Sequence, residues 1–400
     1  MSRRGTVRRR CTKCGNSVRE RSCPRCNSAA NWSYTIDISR PGAKRRQRTR
    51  SGFLTKAEAL SALTEVQASL ALNTYVEPTQ IDLTYFVERH WLDAIENTIR
   101  PSTFRSYRAT LRNHVLPHVG TVRLQSITGA DLNAMYTRLS RSGRRDGMGG
   151  LSPTTVRYVH VVLHRVLRDA VRWGMLNANP ADRADPPRVV RSSEMATWTA
   201  SELVAFLDSV RESRLNALWT LAATTGLRRG ELLGLRWRDV DLDTQRLAVV
   251  QSLISVDYEL MFSEPKTDRS RRSVALDSHT VRTLRAWRRR QTAERLRWGP
   301  DYEDFGLVFT RDNGSPLHPD QISKRFGTLI RKAGLRRIRL HDLRHTHATL
   351  ALALAAGVHP KVVSERLGHS SVLTTLDTYS HAIPALQEDA ADRVAELLFG

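Results

Sequence analysis

Cysteine is nearly absent from these 400 residues: four occur, at positions 11, 14, 23 and 26, and none follows. No disulfide can brace a core later in the chain, which points to a reducing compartment, the cytoplasm, rather than to a secreted scaffold. Long apolar runs are missing too. No stretch of about 18 apolar residues occurs, so no segment reads as a membrane-spanning helix. The basic start MSRRGTVRRR has no apolar stretch behind it to make a secretory signal. Acidic charge is in short supply, with 40 Asp and Glu against 63 Lys and Arg, a net of +23. Lysine itself is scarce at seven residues, so almost all of the basic charge is arginine, which stays protonated in any surroundings.

What is present is an ordinary globular balance, 40% hydrophobic and 26% charged, over a length that suggests two to four domains. The charge is unevenly placed. Residues 1–50 carry 15 Lys and Arg against 2 Asp and Glu, a net of +13, which is more than half of the excess in one eighth of the chain. A polyanion, and nucleic acid above all, is the partner that such a distribution favours; a basic surface of no fixed purpose is the alternative.

The four cysteines are spaced Cys11-x2-Cys14-x8-Cys23-x2-Cys26. Two CxxC pairs offer four thiolates to one tetrahedral Zn²⁺, whose role would be structural because no coordination position stays open. A redox pair or an unstructured cluster is the other reading. Residues 32–38 alternate as a strand, Pro41-Gly42 signals a turn, and the basic run Lys44-Arg45-Arg46-Gln47-Arg48-Thr49-Arg50 follows. Thr55 with Glu58 forms a capping box, and Leu60, Leu63, Val66 and Leu70 mark one face of the helix it opens. A small sheet on one helix, with arginines on its strands, suits DNA; a solvated basic face is the bland rival.

Residues 82–180 read as helical, with helices near 82–97, 102–116, 129–141 and 153–173, the last opened by Ser152-Pro153. In the largest segment helices are expected near 200–211, 215–224, 279–296, 319–333, 342–356, 360–367 and 371–379. Strands are expected at 246–251 and 272–276, with a turn between them around 264–270. An amphipathic pattern fills 385–400. The fold class expected is multidomain, mainly α with small β elements. Its parts are a basic four-cysteine, zinc-knuckle-like segment (1–30), a β-sheet-plus-helix domain (31–76), a helical domain (80–180), a linker (181–194), a mixed α/β domain (195–384) and a tail helix (385–400).

Cleaving a phosphodiester requires neutralising its non-bridging oxygens, a nucleophile, and a proton for the leaving oxygen. The mixed domain holds these parts in order. Arg228 lies between two glycines in TGLRRGEL, with Glu231 three residues on to hold its guanidinium by a two-pronged pair. Lys266 occupies the strand turn. Neighbouring Arg269, Arg271 and Arg272 cannot readily give up a proton and suit phosphate contact instead. His341 and Arg344 stand at i and i+3, His369 follows the helix-ending Gly368, and Tyr379 comes ten residues later.

The stretches TGLRRGELLGLRW (225–237), EPKTDRSRRSVAL (264–276), LHDLRHTHATL (340–350) and ERLGHSSVLTTLDTY (365–379) resemble the tyrosine recombinase, or phage integrase, family. STFRSYRATLRNHVLPHVG (102–120) and LNANPA (176–181) look like that family's helical core-binding domain, and 32–72 like its arm-binding domain. The cysteine knuckle is not a general feature of the family. The resemblance implies that Arg228 and Arg344 clamp the scissile phosphate and that His369 donates a further bond to it. His341 would assist proton transfer, Lys266 would act as general acid, and Tyr379 would attack to leave a 3′-phosphotyrosyl enzyme. It implies no cofactor for the chemistry. The implied partners are double-stranded DNA at core and arm-type attachment sites, a homotetramer on that DNA joined through the tail, and DNA-bending or directionality proteins. Two rivals remain, a type IB topoisomerase-like relaxing enzyme and a non-catalytic DNA-binding regulator.

Overall fold

The computed structural model describes residues 5–39, 44–72, 74–189, 196–264, 271–353, 358–368, 371–379 and 395–399, and the chain divides into two compact units, Met1–Val189 and Val190–Gly400. The first unit opens with a four-stranded antiparallel sheet. Its strands are β1 (Thr6–Cys11), β2 (Ser17–Val18), β3 (Ala30–Asp37) and β4 (Gln47–Phe53), in the order β2-β1-β3-β4. β1 pairs along its whole length with β3, from Thr6 opposite Thr35 to Cys11 opposite Ala30. The separation expected between 1–30 and 31–76 therefore does not occur. The cysteine segment connects two neighbouring strands of one sheet and itself supplies the edge strand β2.

The alternation of side chains explains why β1 belongs there. Val7 stands opposite Tyr34, on the face covered by α1 (Lys56–Ala71), where Tyr34, Ile36 and Leu63 form the core. α1 starts at the expected capping box of Thr55 and Glu58. Its covered stripe runs through Ala59, Leu63, Val66 and Leu70, while Leu60, one position off that stripe, is exposed. The same alternation sorts the basic run. Arg48 and Arg50 pair with Ile36 and Tyr34 and so share the covered face. Arg46 and Arg48 reach Glu77 at 2.8 and 3.5 Å. The opposite face carries Thr6, Thr35 and Thr49 in one row and Arg8, Ser33 and Ser51 in the next.

The rest of the first unit is helical, in the four segments expected. α2 runs through Leu83–Phe86, a π-helical stretch Val87–Trp91 and Leu92–Ile95. α3 does the same through Pro101–Thr110, Leu111–Val115 and Leu116–Val119. α4 (Gly129–Ser142) and α5 (Pro153–Arg172) complete the bundle. Within its apolar core lies a polar contact: the buried Trp91 indole N–H donates to Asp169 Oδ2 at 2.9 Å. A short 3₁₀ turn, Pro180–Arg183, packs on α4 and α5 where the sequence pattern suggests only linker.

The second unit begins with α6 (Ala200–Ser209), α7 (Asn216–Thr225) and α8 (Arg229–Leu233). A three-stranded sheet follows, ordered β5 (Val240–Asp241), β6 (Arg246–Val249), β9 (Arg272–Ala275). Between its strands projects a hairpin, β7 (Ser252–Val256) and β8 (Glu259–Ser263). This hairpin is absent from the sequence expectation because its two turn residues, Asp257 and Tyr258 at φ 50° and 68°, are not the Asn-Gly or Gly pairs that normally announce such turns. Helices α9 (Ser278–Trp298), α10 (Pro319–Lys332), α11 (Asp342–Ala353), α12 (Pro360–Leu367) and α13 (Val372–Tyr379) close the unit. Its core centres on Trp198, Phe206, Trp219 and Phe326, whose rings lie 5.2 to 6.2 Å apart. Residues 265–270 of the expected turn, the end of the 342–356 helix and most of the tail at 385–400 lie outside the described residues. No helix among the described residues is long and apolar enough to cross a membrane.

The Trp91–Asp169 contact yields a stability prediction. Asp169→Ala leaves a buried indole N–H without its acceptor, at a cost of about 1–3 kcal/mol. Thermal unfolding followed by circular dichroism should shift down accordingly, and combining it with Trp91→Phe should cost less than the sum of the two single changes. Additive losses would mean that the bond contributes nothing.

Candidate active site

α7 stops at Thr225 because Gly226 turns left-handed, with φ +63°, and a Cβ there would stand 2.7 Å from Leu367 Cδ2. α12 stops in the same way at Gly368, with φ +67°. Each helix end leaves carbonyls without intrahelical partners, and together they form the negative pole of the helix. Guanidinium groups take up these carbonyls from both helices. Arg344 donates through Nη1 to the Gly226 carbonyl at 2.8 Å and through Nη2 to that of Leu367 at 2.6 Å. Arg228 donates through Nη2 to the next carbonyl along, Gly368, at 3.1 Å. Arg272 donates through Nε to the Arg366 carbonyl at 2.7 Å, and Arg366 in turn to the Thr224 carbonyl at 3.0 Å.

Arg228 fills the position just before α8, and the buried carboxylate of Glu231 receives both its backbone N–H (3.0 Å) and its Nη1 (2.9 Å). The two-pronged pair expected of Glu231 is not with Arg228, however. It is made with Arg272, whose Nη1 and Nη2 donate to the two carboxylate oxygens at 3.2 and 2.8 Å. Burial alone would raise the Glu231 carboxyl; bonds from Arg272, then the charges of Arg272 and Arg228, hold it below the ordinary range. Arg344 and Arg272 are sequestered, with Arg344 only 3% exposed, whereas the Arg228 side chain keeps 39% of its surface open. Positive charge at the two helix ends thus exceeds the charge of Glu231, and Arg228 presents it outward. The arrangement suits a singly charged oxyanion.

His341 stands immediately before α11, its ring 5.0 Å from that of His345 in an edge-to-face contact. Loss of water around the ring, then the charges of Arg344 and Arg228, lower its pKa, with Asp342 opposing. His345 is pushed down to about 4, by desolvation first and His341 second. Both imidazoles are therefore neutral near pH 7, and a neutral imidazole can accept a proton.

Of the residues singled out in the sequence, Arg228, His341 and Arg344 are described, and Arg228 and Arg344 meet at one helix end. Lys266 and His369 lie outside the described residues, as does Arg269. Tyr379 is the last residue of α13, where only the backbone is described. Arg272 departs from its expected part as a phosphate contact, because the hydrogen bonds to Glu231 and Arg366 turn it inward. Arg271 remains exposed, 3.2 Å from Glu264. Sequence reading missed Arg366 as a framework residue; its only signal is its place two residues before the helix-ending glycine.

The four cysteines belong to the first unit. Their sulfurs fall within 4.8 Å of one another, with Cys11 and Cys26 at 3.3 Å and Cys14 and Cys23 at 3.6 Å. The backbone N–H groups of Lys13 and Cys14 point at the Cys11 sulfur, at 3.3 and 3.4 Å.

Comparison with known proteins agrees with this architecture. The model of the phage integrase family matches residues 196–385, that of the integrase N-terminal SAM-like domain 85–140, and that of the arm DNA-binding domain 25–70. The chain is 27% identical over 389 residues to a tyrosine recombinase XerC-like protein of Caldanaerobacter subterraneus, covering 93% of this chain and 97% of that one. It is 28% identical to the ICEBs1 integrase of Bacillus subtilis, covering 92% and 98%. In fold it is similar to the Tn1549 transposon integrase solved with transposon right end DNA, at a TM-score of 0.63 and 20% identity, over 79% of this chain and all of that one. The chain belongs to the phage integrase family of tyrosine recombinases, enzymes that break and rejoin DNA strands.

Proposed function

We propose that this chain integrates a phage or other mobile element by cutting duplex DNA through a covalent bond to Tyr379. The observation that carries this reading is the meeting of Arg228 and Arg344 on successive carbonyls of one helix end, with positive charge in excess of Glu231. A scissile phosphodiester bears one negative charge and gains more as it is attacked. Two guanidiniums fixed before the reaction stabilise that charge without reorganising.

In the first step the Tyr379 oxygen forms a bond to phosphorus while the bond to the 5′ oxygen breaks. The phenol proton passes to neutral His341, and Lys266 protonates the leaving 5′ oxygen to give a free hydroxyl. His369 donates a further bond to the phosphate. The phosphotyrosyl ester keeps the energy of the broken bond, so no cofactor is needed to reseal. In the second step the 5′ hydroxyl of another strand gives its proton to Lys266 and attacks phosphorus, the bond to Tyr379 breaks, and His341 returns the phenol proton. The helical bundle and the second unit take the core-type site, and the sheet with α1 takes an arm-type site. The working assembly is a homotetramer on double-stranded DNA in the cytoplasm, with bending or directionality proteins as further partners.

We assign Cys11, Cys14, Cys23 and Cys26 to a structural Zn²⁺. Four sulfurs at about 2.3 Å from one tetrahedral ion stand about 3.8 Å apart, close to the spacing of the four cysteines. The N–H groups aimed at Cys11 are what a thiolate would recruit.

Three outcomes follow from these assignments. On a nicked suicide duplex bearing the core site, wild type should form a covalent adduct. Tyr379→Phe should bind the duplex and form none, and Lys266→Ala should slow adduct formation by about 10²–10⁴-fold; an adduct persisting in Tyr379→Phe would mean a different nucleophile. Native mass spectrometry should find one zinc per chain, lost in Cys11→Ser/Cys14→Ser, which should also lose arm-site binding yet still form the core-site adduct. A metal-free wild type with full arm binding would count against the zinc. Deleting residues 385–400 should weaken synapsis of two sites while sparing binding to one; an unchanged recombination yield would dismiss the tail's role.

A further inference from the structure

Glu231 sets an electrostatic problem at this site. Its buried carboxylate holds Arg228 by both backbone and side chain, which fixes the guanidinium but also cancels its charge. A neutral ion pair is a poor ligand for phosphate. Arg272 changes that balance. It approaches the carboxylate from the buried side, with its side chain 6% exposed, and donates to both oxygens. The triad of Arg228, Glu231 and Arg272 therefore carries one net positive charge, and the only member open to solvent is Arg228.

The third bond of Arg272 has a second consequence. Its Nε donates to the Arg366 carbonyl, one residue before α12 ends. Its Nη1 lies under the left-handed turn at Gly368, where an added Cβ would stand 2.9 Å from it. One planar fork thus links the support of Arg228 to the backbone that leads into His369. Lysine has a point charge and cannot span both partners in this way.

We propose that Arg272 is a positioning residue for strand cleavage: it offsets the charge of Glu231, so that Arg228 stays available to the phosphate, and it sets the turn that precedes His369. This inference rests on the cleavage chemistry given above. It assigns Arg272 no contact with DNA.

The test is single-turnover adduct formation on the suicide core-site duplex at saturating protein, with the dissociation constant of the same duplex measured in parallel. Arg272→Met should slow cleavage by about 10–100-fold, the scale of loss when a hydrogen-bond partner that orients a metal ligand is removed, with little change in affinity. Arg272→Lys should cleave at a rate between those of Arg272→Met and wild type. The deciding variant is Arg272→Met/Glu231→Gln. It removes the carboxylate that would otherwise neutralise Arg228, so it should cleave faster than Arg272→Met alone, a gain that a merely structural arginine does not predict. Wild-type cleavage by Arg272→Met, or no gain in the double variant, overturns the proposal. Should Arg272→Met fail to fold, Arg272→Lys decides: slower cleavage with unchanged affinity supports the proposal, and a wild-type rate overturns it. If wild type itself forms no adduct, the cleavage reading fails and this inference falls with it.

Discussion

The interaction on which the second unit depends is the capture of helix-end carbonyls by arginine. α7 and α12 each end in a left-handed glycine, and the oxygens they expose would be costly to bury unpaired. Arg344 closes both ends at once, from Gly226 to Leu367. The bonds that make the fold possible also hold cationic groups in fixed places around these helix ends. Stability and chemistry here draw on the same hydrogen bonds, which explains why the groups are arginines. A lysine could satisfy one such carbonyl but could not bridge two elements through a rigid plane.

The two units use their polar residues differently. In the second, charge is concentrated and mostly hidden, and Glu231 is the buried carboxylate around which Arg228 and Arg272 are arranged. In the first, the sheet face opposite α1 carries short hydroxyls that bond within the sheet: Thr35 and Thr49 meet at 2.8 Å, and the buried Ser33 hydroxyl donates to the Arg8 carbonyl at 3.0 Å. Such groups are suited to matching a pattern of donors and acceptors rather than to stabilising a charge that develops during a reaction. Several of the arginines nearby are turned to the other face.

Much of this was legible in the sequence, and the exceptions have physical reasons. Helix α5, with its clear period of Val156, Val159, Leu163, Val166 and Leu167, lies within a residue of expectation, because burial and backbone propensity agree. Capping at Thr55 was equally plain, since the signal is local. The β7–β8 hairpin was hidden by its Asp-Tyr turn, which tolerates a strained backbone that glycine would normally announce. β1 was hidden by its arginines, which look like a solvated tail until the alternation around Val7 is matched to Tyr34. That Glu231 would take up Arg228 could be read along the chain. Which arginine Glu231 grips with both oxygens could not, because Arg272 arrives from 41 residues away and nothing local favours it over Arg228.

The insertion between β1 and β3 has an architectural consequence. Residues 12–29 turn away from β1 after Cys11, add Ser17–Val18 as the edge strand beside it, and rejoin the sheet at Ala30, the direct cross-strand partner of Cys11. The ends of the loop are therefore only about one strand spacing apart, roughly 5 Å. A loop with closed ends adds little strain to its host, whatever its length. The cysteine module is in this sense a cartridge: exchanged together with its edge strand β2, it would leave the pairing of β1 with β3 in place. Sequence change can thus accumulate at this one hairpin while the core of Tyr34, Ile36 and Leu63 keeps its packing.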